Sequence, residues 1–180
     1  SYKYDKIIFE NLKKGEISIL INHIELLKKI KNEFKEGNFL IMESDAHTFG
    51  YFKFTKNRLN EVYENSKDIK NWDIINIGGS CQQIFHEYNY PKTKPIKFEK
   101  YKYYNEDRLI CIEGLIWNYN SICKFLDLFE NYIKIRKFKI YEPIDVIIDN
   151  LVKNKRLNIY WCNPALFKQG SGSIWDSYIR

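Results

Sequence analysis

The octapeptide Phe39-Leu40-Ile41-Met42-Glu43-Ser44-Asp45-Ala46 joins a short apolar run to two acids one residue apart. An apolar run of this length that stops at a turn signal reads as a buried strand. In an open α/β sheet the crevice beyond the carboxyl ends of the strands is where ligands bind. Two carboxylates placed there, Glu43 and Asp45, make an oxygen site suited to a hard divalent cation. The same pair also fits two solvated acids at the start of a loop, so the flanking chain has to arbitrate.

Upstream, Ile17, Leu20, Ile21, Ile24, Leu27 and Ile30 recur at three and four, which predicts a half-buried helix over 16–34. Gly37-Asn38 stops it and hands over to the strand. His23 lies among these apolar residues, either as a packed core histidine or lining a nucleotide crevice. Downstream, His47 reaches the cation that Glu43 and Asp45 would hold if the loop folds back, where imidazole suits Mn²⁺ better than Mg²⁺, or is simply an exposed loop histidine. A second apolar strand, Trp72-Asp73-Ile74-Ile75-Asn76-Ile77, ends in Gly78-Gly79, which allows a tight turn or the close approach of a ligand.

Residues 81–108, with Pro91 and Pro95, read as a long surface loop carrying a hairpin, and loops of that length often serve as lids or acceptor-binding segments. Tyr88, Tyr90, Tyr101, Tyr103 and Tyr104 would stack on sugar rings there or cover the core. Leu109-Ile110-Cys111-Ile112 reads as a strand leading to Glu113-Gly114. A helix is expected over 120–132 with Ser121 as its cap, and another after Pro143 with Asp145 in its first turn. A last strand over 157–161 stops at Asn163-Pro164, and Gln169-Gly170-Ser171-Gly172-Ser173 is either a phosphate cradle or a terminal linker. Helices alternating with strands predict one α/β domain over 1–180, with a mixed or mostly parallel sheet.

Composition narrows the function classes. The 180 residues are 44% hydrophobic and 29% charged, the balance of a globular domain. A net charge of +6 suits an anionic ligand such as a nucleotide diphosphate. The lysines are scattered among acids and no nucleic-acid motif occurs, so no nucleic-acid partner is expected. No apolar run reaches the roughly 20 residues of a membrane span. Cys81, Cys111, Cys123 and Cys162 lack metal-finger spacing and read as thiols of a reducing, cytoplasmic compartment, two disulfides being the alternative.

Four blocks taken in order resemble glycosyltransferase family 25, the group of lipooligosaccharide and procollagen galactosyltransferases. Gly15-Glu16-Ile17 with His23 is similar to G-E-[IV] … S-H, Asn22 standing for the usual Ser. Leu40 to Ala46 resembles L-I-L-E-D-D-A, with Ser44 in place of the middle acid. Trp72 to Gly78 resembles W-D-[IV]-[IV]-x-L-G. Glu113-Gly114, Pro143-Ile144-Asp145 and Asn163-Pro164-Ala165-Leu166 with Gln169 resemble the closing segment and its P-x-L-x-x-Q ending.

The resemblance implies a GT-A-like, Rossmann-related mixed sheet flanked by helices. It also implies a metal-dependent transfer of sugar from a nucleoside-diphosphate donor to a glycan or protein hydroxyl. Glu43 and Asp45 would hold a divalent cation, commonly Mn²⁺; His23, Gly78, Gly114 and Gln169 would contact the donor; and Asp145 would be the general base. Family members open with a strand and helix that hold the nucleotide base, and the chain as it begins at Ser1 is expected to lack that first strand. The alternative expectation is a catalytically inactive binding or structural module on the same frame.

Overall fold

A computed structural model describes residues 6–48, 52–79, 91–109 and 111–169, the side chains of 52–55 and of 169 excepted. Helix α1 spans Lys14–Glu33 and buries Leu20, His23, Ile24, Leu27 and Ile30, the expected stripe. Its first turn is closed by the Glu16 carboxylate, which accepts the Lys13 backbone N–H at 2.7 Å. Gly37, at φ +122°, turns the chain into strand β2, Asn38–Met42.

Strands β4 (Ile74–Asn76), β5 (Ile96–Lys97), β6 (Lys102–Glu106), β7 (Gly114–Asn118) and β9 (Ile159–Asn163) complete a six-stranded sheet of order β2-β7-β4-β9-β6-β5. Only β4 and β9 pair in parallel; the other contacts are antiparallel. The fold is therefore α/β with a mixed central sheet flanked by helices. Helices α3 (Tyr119–Ile135) and α4 (Ile144–Lys153) join α1 on one face, over Leu115, Trp117, Ile74, Ile159 and Trp161. On the other face, Val62 of α2 (Phe52–Ser66) packs with Ile75, Ile77, Ile116 and Tyr103. Burial on both faces is why the central strands β4 and β7 read as unbroken apolar runs rather than alternating ones, whereas edge strand β2 buries only Ile41. Among the described residues, no helix is long and apolar enough to cross a membrane.

Two local expectations give way to tertiary context. The strand predicted at Leu109–Ile112 begins five residues later, at Gly114: Glu113 precedes the strand, and Leu109 instead donates its N–H to Asp149 Oδ1 at 2.9 Å. The hairpin expected within 81–108 is β5 and β6, which extends the sheet beyond β9. Tyr101 and Tyr103 are buried in the core there, so they cover it; Tyr88 and Tyr90 lie outside the described residues. Finally, α3 is capped by Asn118, whose Oδ1 accepts from the Ser121 backbone N–H and hydroxyl, both at 2.9 Å, so Ser121 is a donor to the cap. Asn118→Ala is expected to destabilise the fold by about 1 kcal/mol, read as a lowered urea midpoint at unchanged m-value.

Asp73 of the Trp-Asp block is a fastener at the same end of the sheet. It accepts from Ser121 Oγ at 2.8 Å, the Asn158 N–H at 2.8 Å and Lys124 Nζ at 2.7 Å. Two short ribbons lie outside the main sheet: β1 (Ile8–Phe9) beside β8 (Lys139–Ile140), and β3 (Ala46–Thr48) antiparallel to β10 (Phe167–Gln169). Cys123 and Cys162 are free thiols; Cys81 lies outside the described residues.

Candidate functional site

Strands β2, β4 and β9 run in one direction and end at Met42, Asn76 and Asn163, while β7 runs the other way and begins at Gly114 opposite Met42. Residues 43–46, 77–79, 113–114 and 163–169, far apart in sequence, therefore meet at one pole of the sheet. Backbone hydrogen bonds stitch that pole together. Glu43 N–H donates to the Glu113 carbonyl at 3.4 Å, Ile77 N–H to the Gly114 carbonyl at 3.0 Å, and Leu166 N–H to the Ile77 carbonyl at 2.9 Å. Strand β10 is then held between β3 and Gly78, which bridges Phe167.

Glu43 to Ala46 forms a tight turn closed by the Ala46 N–H donating to the Glu43 carbonyl at 3.1 Å. Ser44 is exposed at its tip, while Glu43 and Asp45 are half-buried. Burial, followed by the charges of Asp45, Glu113 and Asp145, pushes the Glu43 carboxyl up to about 7. The turn, the residue before β7 and the first turn of α4 thus crowd their acids into one electrostatic neighbourhood, in a chain whose net charge is positive. Asp145, whose Oδ1 accepts the Val146 N–H at 2.9 Å, has its carboxyl raised mainly by burial, with Glu16 and Asp149 adding to the effect. Asp149 itself is committed elsewhere, to Arg108 Nε at 3.1 Å and Lys153 Nζ at 2.7 Å.

Glu113 is the residue that sequence reasoning passed over. It is 1% exposed, and its carboxyl group lies against Gly78. A Cβ on Gly78 would sit 2.6 Å from Glu113 Cδ, so the glycine is what makes room for the acid. The available signal was a glutamate next to an apolar run, directly before a glycine. Gly114 serves packing instead, since a Cβ there would press at 3.3 Å on Ile77 and Phe167; its bare backbone lets β7 and β10 close together.

Of the other expected donor residues, Gln169 is opposite Ala46 in the β3–β10 ribbon, beside the acidic turn. His23 is not at this pole. It is 8% exposed on α1, edge-on to Trp117 at 6.4 Å between ring centroids, and burial lowers its imidazole to about 4. His47 lies in β3, and both of its ring nitrogens are buried without a hydrogen-bond partner among the described residues. The stretch 170–173 lies outside the described residues.

Among the described residues, no three His, Cys, Asp or Glu side chains close on a common point that would hold a metal ion by themselves. Half-buried carboxylates that repel one another do fit a cation held in part by its ligand, since Mg²⁺-type sites combine one or two carboxylates with substrate phosphates. No family model matches the chain, and no curated protein matches it either.

Proposed function

We propose that the acidic pole is the donor site of a GT-A-like glycosyltransferase, which moves a sugar from a nucleoside-diphosphate donor to a hydroxyl of a glycan or protein acceptor. One observation carries the reading. The segments that resemble separate family blocks, at 43–46, 78, 113–114, 145 and 169, come to one end of the sheet, as parts of a single site must. Glu43 and Asp45 would hold the cation at the tip of β2, with the diphosphate oxygens filling the remaining positions. A bound divalent cation supplies charge neutralisation for the departing diphosphate.

The chain's own residues do the rest. The acceptor oxygen attacks the anomeric carbon, the bond from that carbon to the diphosphate breaks, and the acceptor's proton passes to a carboxylate. Asp145 suits that last role, because burial raises its basicity toward neutral pH. Strand β10 lies beside the turn, paired with β3.

Isothermal titration against a panel of UDP- and GDP-sugars tests the reading. Heat is expected with at least one donor in the presence of Mn²⁺, and Asp45→Asn is expected to weaken that binding about 100-fold while the circular-dichroism spectrum stays unchanged. Absence of heat for every donor, with and without metal, would sink the proposal and favour the inactive-module alternative. Unchanged affinity in Asp45→Asn would move the cation away from β2.

A further inference from the structure

A wide cleft opens not at the acidic pole but at the opposite end of the sheet. It has a volume of about 580 Å³ and is walled by the α1–β2 connection, the end of α2 and the start of α3. Its lining is rich in amides, with Asn38 half-buried and Asn71 and Asn120 exposed to solvent, where a ligand can reach them. A primary amide offers two donors and an acceptor side by side, the pattern that vicinal hydroxyls complement.

The aromatic part of the wall is rigid. Trp72 Nε1 donates to the Ser66 carbonyl at 3.0 Å, and the Trp72 carbonyl accepts from Asn118 Nδ2 at 2.6 Å. Tyr63 is 46% exposed beside it, with Lys67 Nζ 4.8 Å from its ring centroid. Flat aromatic bodies with polar tips suit the apolar face of a sugar ring. The lining charges are Lys35 and Glu36, which cancel, so the cleft has no bias toward a phosphate or an acidic ligand.

We infer that this cleft is a binding subsite for an uncharged sugar unit, distinct from the acidic pole. Asn38, Leu40 and Met42 alternate along β2 on one face; Asn38 lines the cleft, and Leu40 and Met42 are each 39% exposed. That face runs from the cleft to Met42, the residue before the acidic turn, about 17 Å over the five residues of the strand. It provides an open track on which an extended glycan would have one end in the cleft and the other at the acids. The subsite goes beyond the transferase reading and does not depend on it.

The test follows amide and indole resonances of the full chain during titration with neutral hexoses, N-acetylhexosamines and their disaccharides, without metal or nucleotide. At least one sugar is expected to shift the Trp72 indole and Asn120 side-chain signals. Asn71→Gly combined with Asn120→Ala should weaken that binding about tenfold, since each removes an amide pair. The glycine suits the φ of +58° at position 71, which keeps the backbone in place. Asp45→Asn is expected to leave this binding unchanged, which separates the subsite from the donor site. No shift at these positions with any sugar overturns the inference. So does binding that survives the double substitution.

Discussion

At pH 8 without divalent cation, Glu43→Gln is expected to be more stable than the parent protein by about 2 kcal/mol. The Glu43 carboxyl is raised from 4.5 in the unfolded chain to about 7 in the fold. Between those values the folded state holds a proton that the unfolded state has lost, so stability falls as pH rises through this window and levels off above it. A shift of that size converts to about 3 kcal/mol, and solvent screening at a half-buried site reduces it to about 2. Thermal melts at pH 5 and pH 8 measure it: the pH dependence of His23 is common to both proteins, so the variant should gain on the parent between them by about 2 kcal/mol. Added Mn²⁺ should restore the parent at pH 8 and have little effect on the variant. A variant less stable than the parent at pH 8 would show that the carboxylate is favourably held rather than crowded.

The second large effect has the opposite pH dependence. His23→Leu is expected to be more stable than the parent at pH 4.5 by about 2 to 3 kcal/mol, with a difference under about 1 kcal/mol at pH 7.5. Burial depresses the His23 imidazole from 6.5 to about 4, so on acidification the unfolded chain takes up a proton before the fold does. Stability is then lost as pH falls from 6.5 toward 4, by about 3 kcal/mol in full. Leucine keeps the bulk against Trp117 and removes the buried Nε2, which has no hydrogen-bond partner among the described residues.

The two slopes oppose each other between pH 4.5 and 6.5, so the parent profile should be nearly flat there and each single variant should tilt it in its own direction. The sites lie on different elements, His23 in the α1–sheet core and Glu43 beyond the tip of β2, so their effects should add. A double variant as flat as the parent is the expected result. Unfolding curves in urea across pH 4.5 to 8 would expose any failure of that addition.

How far the sequence could be read depended on whether a signal was local. The stripe of α1, the run before Glu43, the glycines after Ile77 and the proline before α4 all act within a turn or two of chain, and each produced its element. The strand after Glu113 was displaced because apolar residues flank that glutamate on both sides, so periodicity alone does not say which run pairs with β2. Tyr101 and Tyr103 looked as ready for a ligand as for a core, and only the pairing of β6 with β9 puts them inside.

The same division runs through the site. By itself the sequence determined that two carboxylates follow a strand with a glycine-ended strand further on, because those are properties of adjacent residues; that the first strand is a partly exposed edge was not legible. Only the tertiary structure decided that Glu113 joins them, that Gly78 exists to admit its carboxyl group, that Gln169 lies beside the acidic turn while His23 stays in the core, and that Asn118 rather than Ser121 caps α3. Each of those outcomes depends on which strands are neighbours and in what register. Register is set by the summed packing of both sheet faces, which no single stretch of the chain contains.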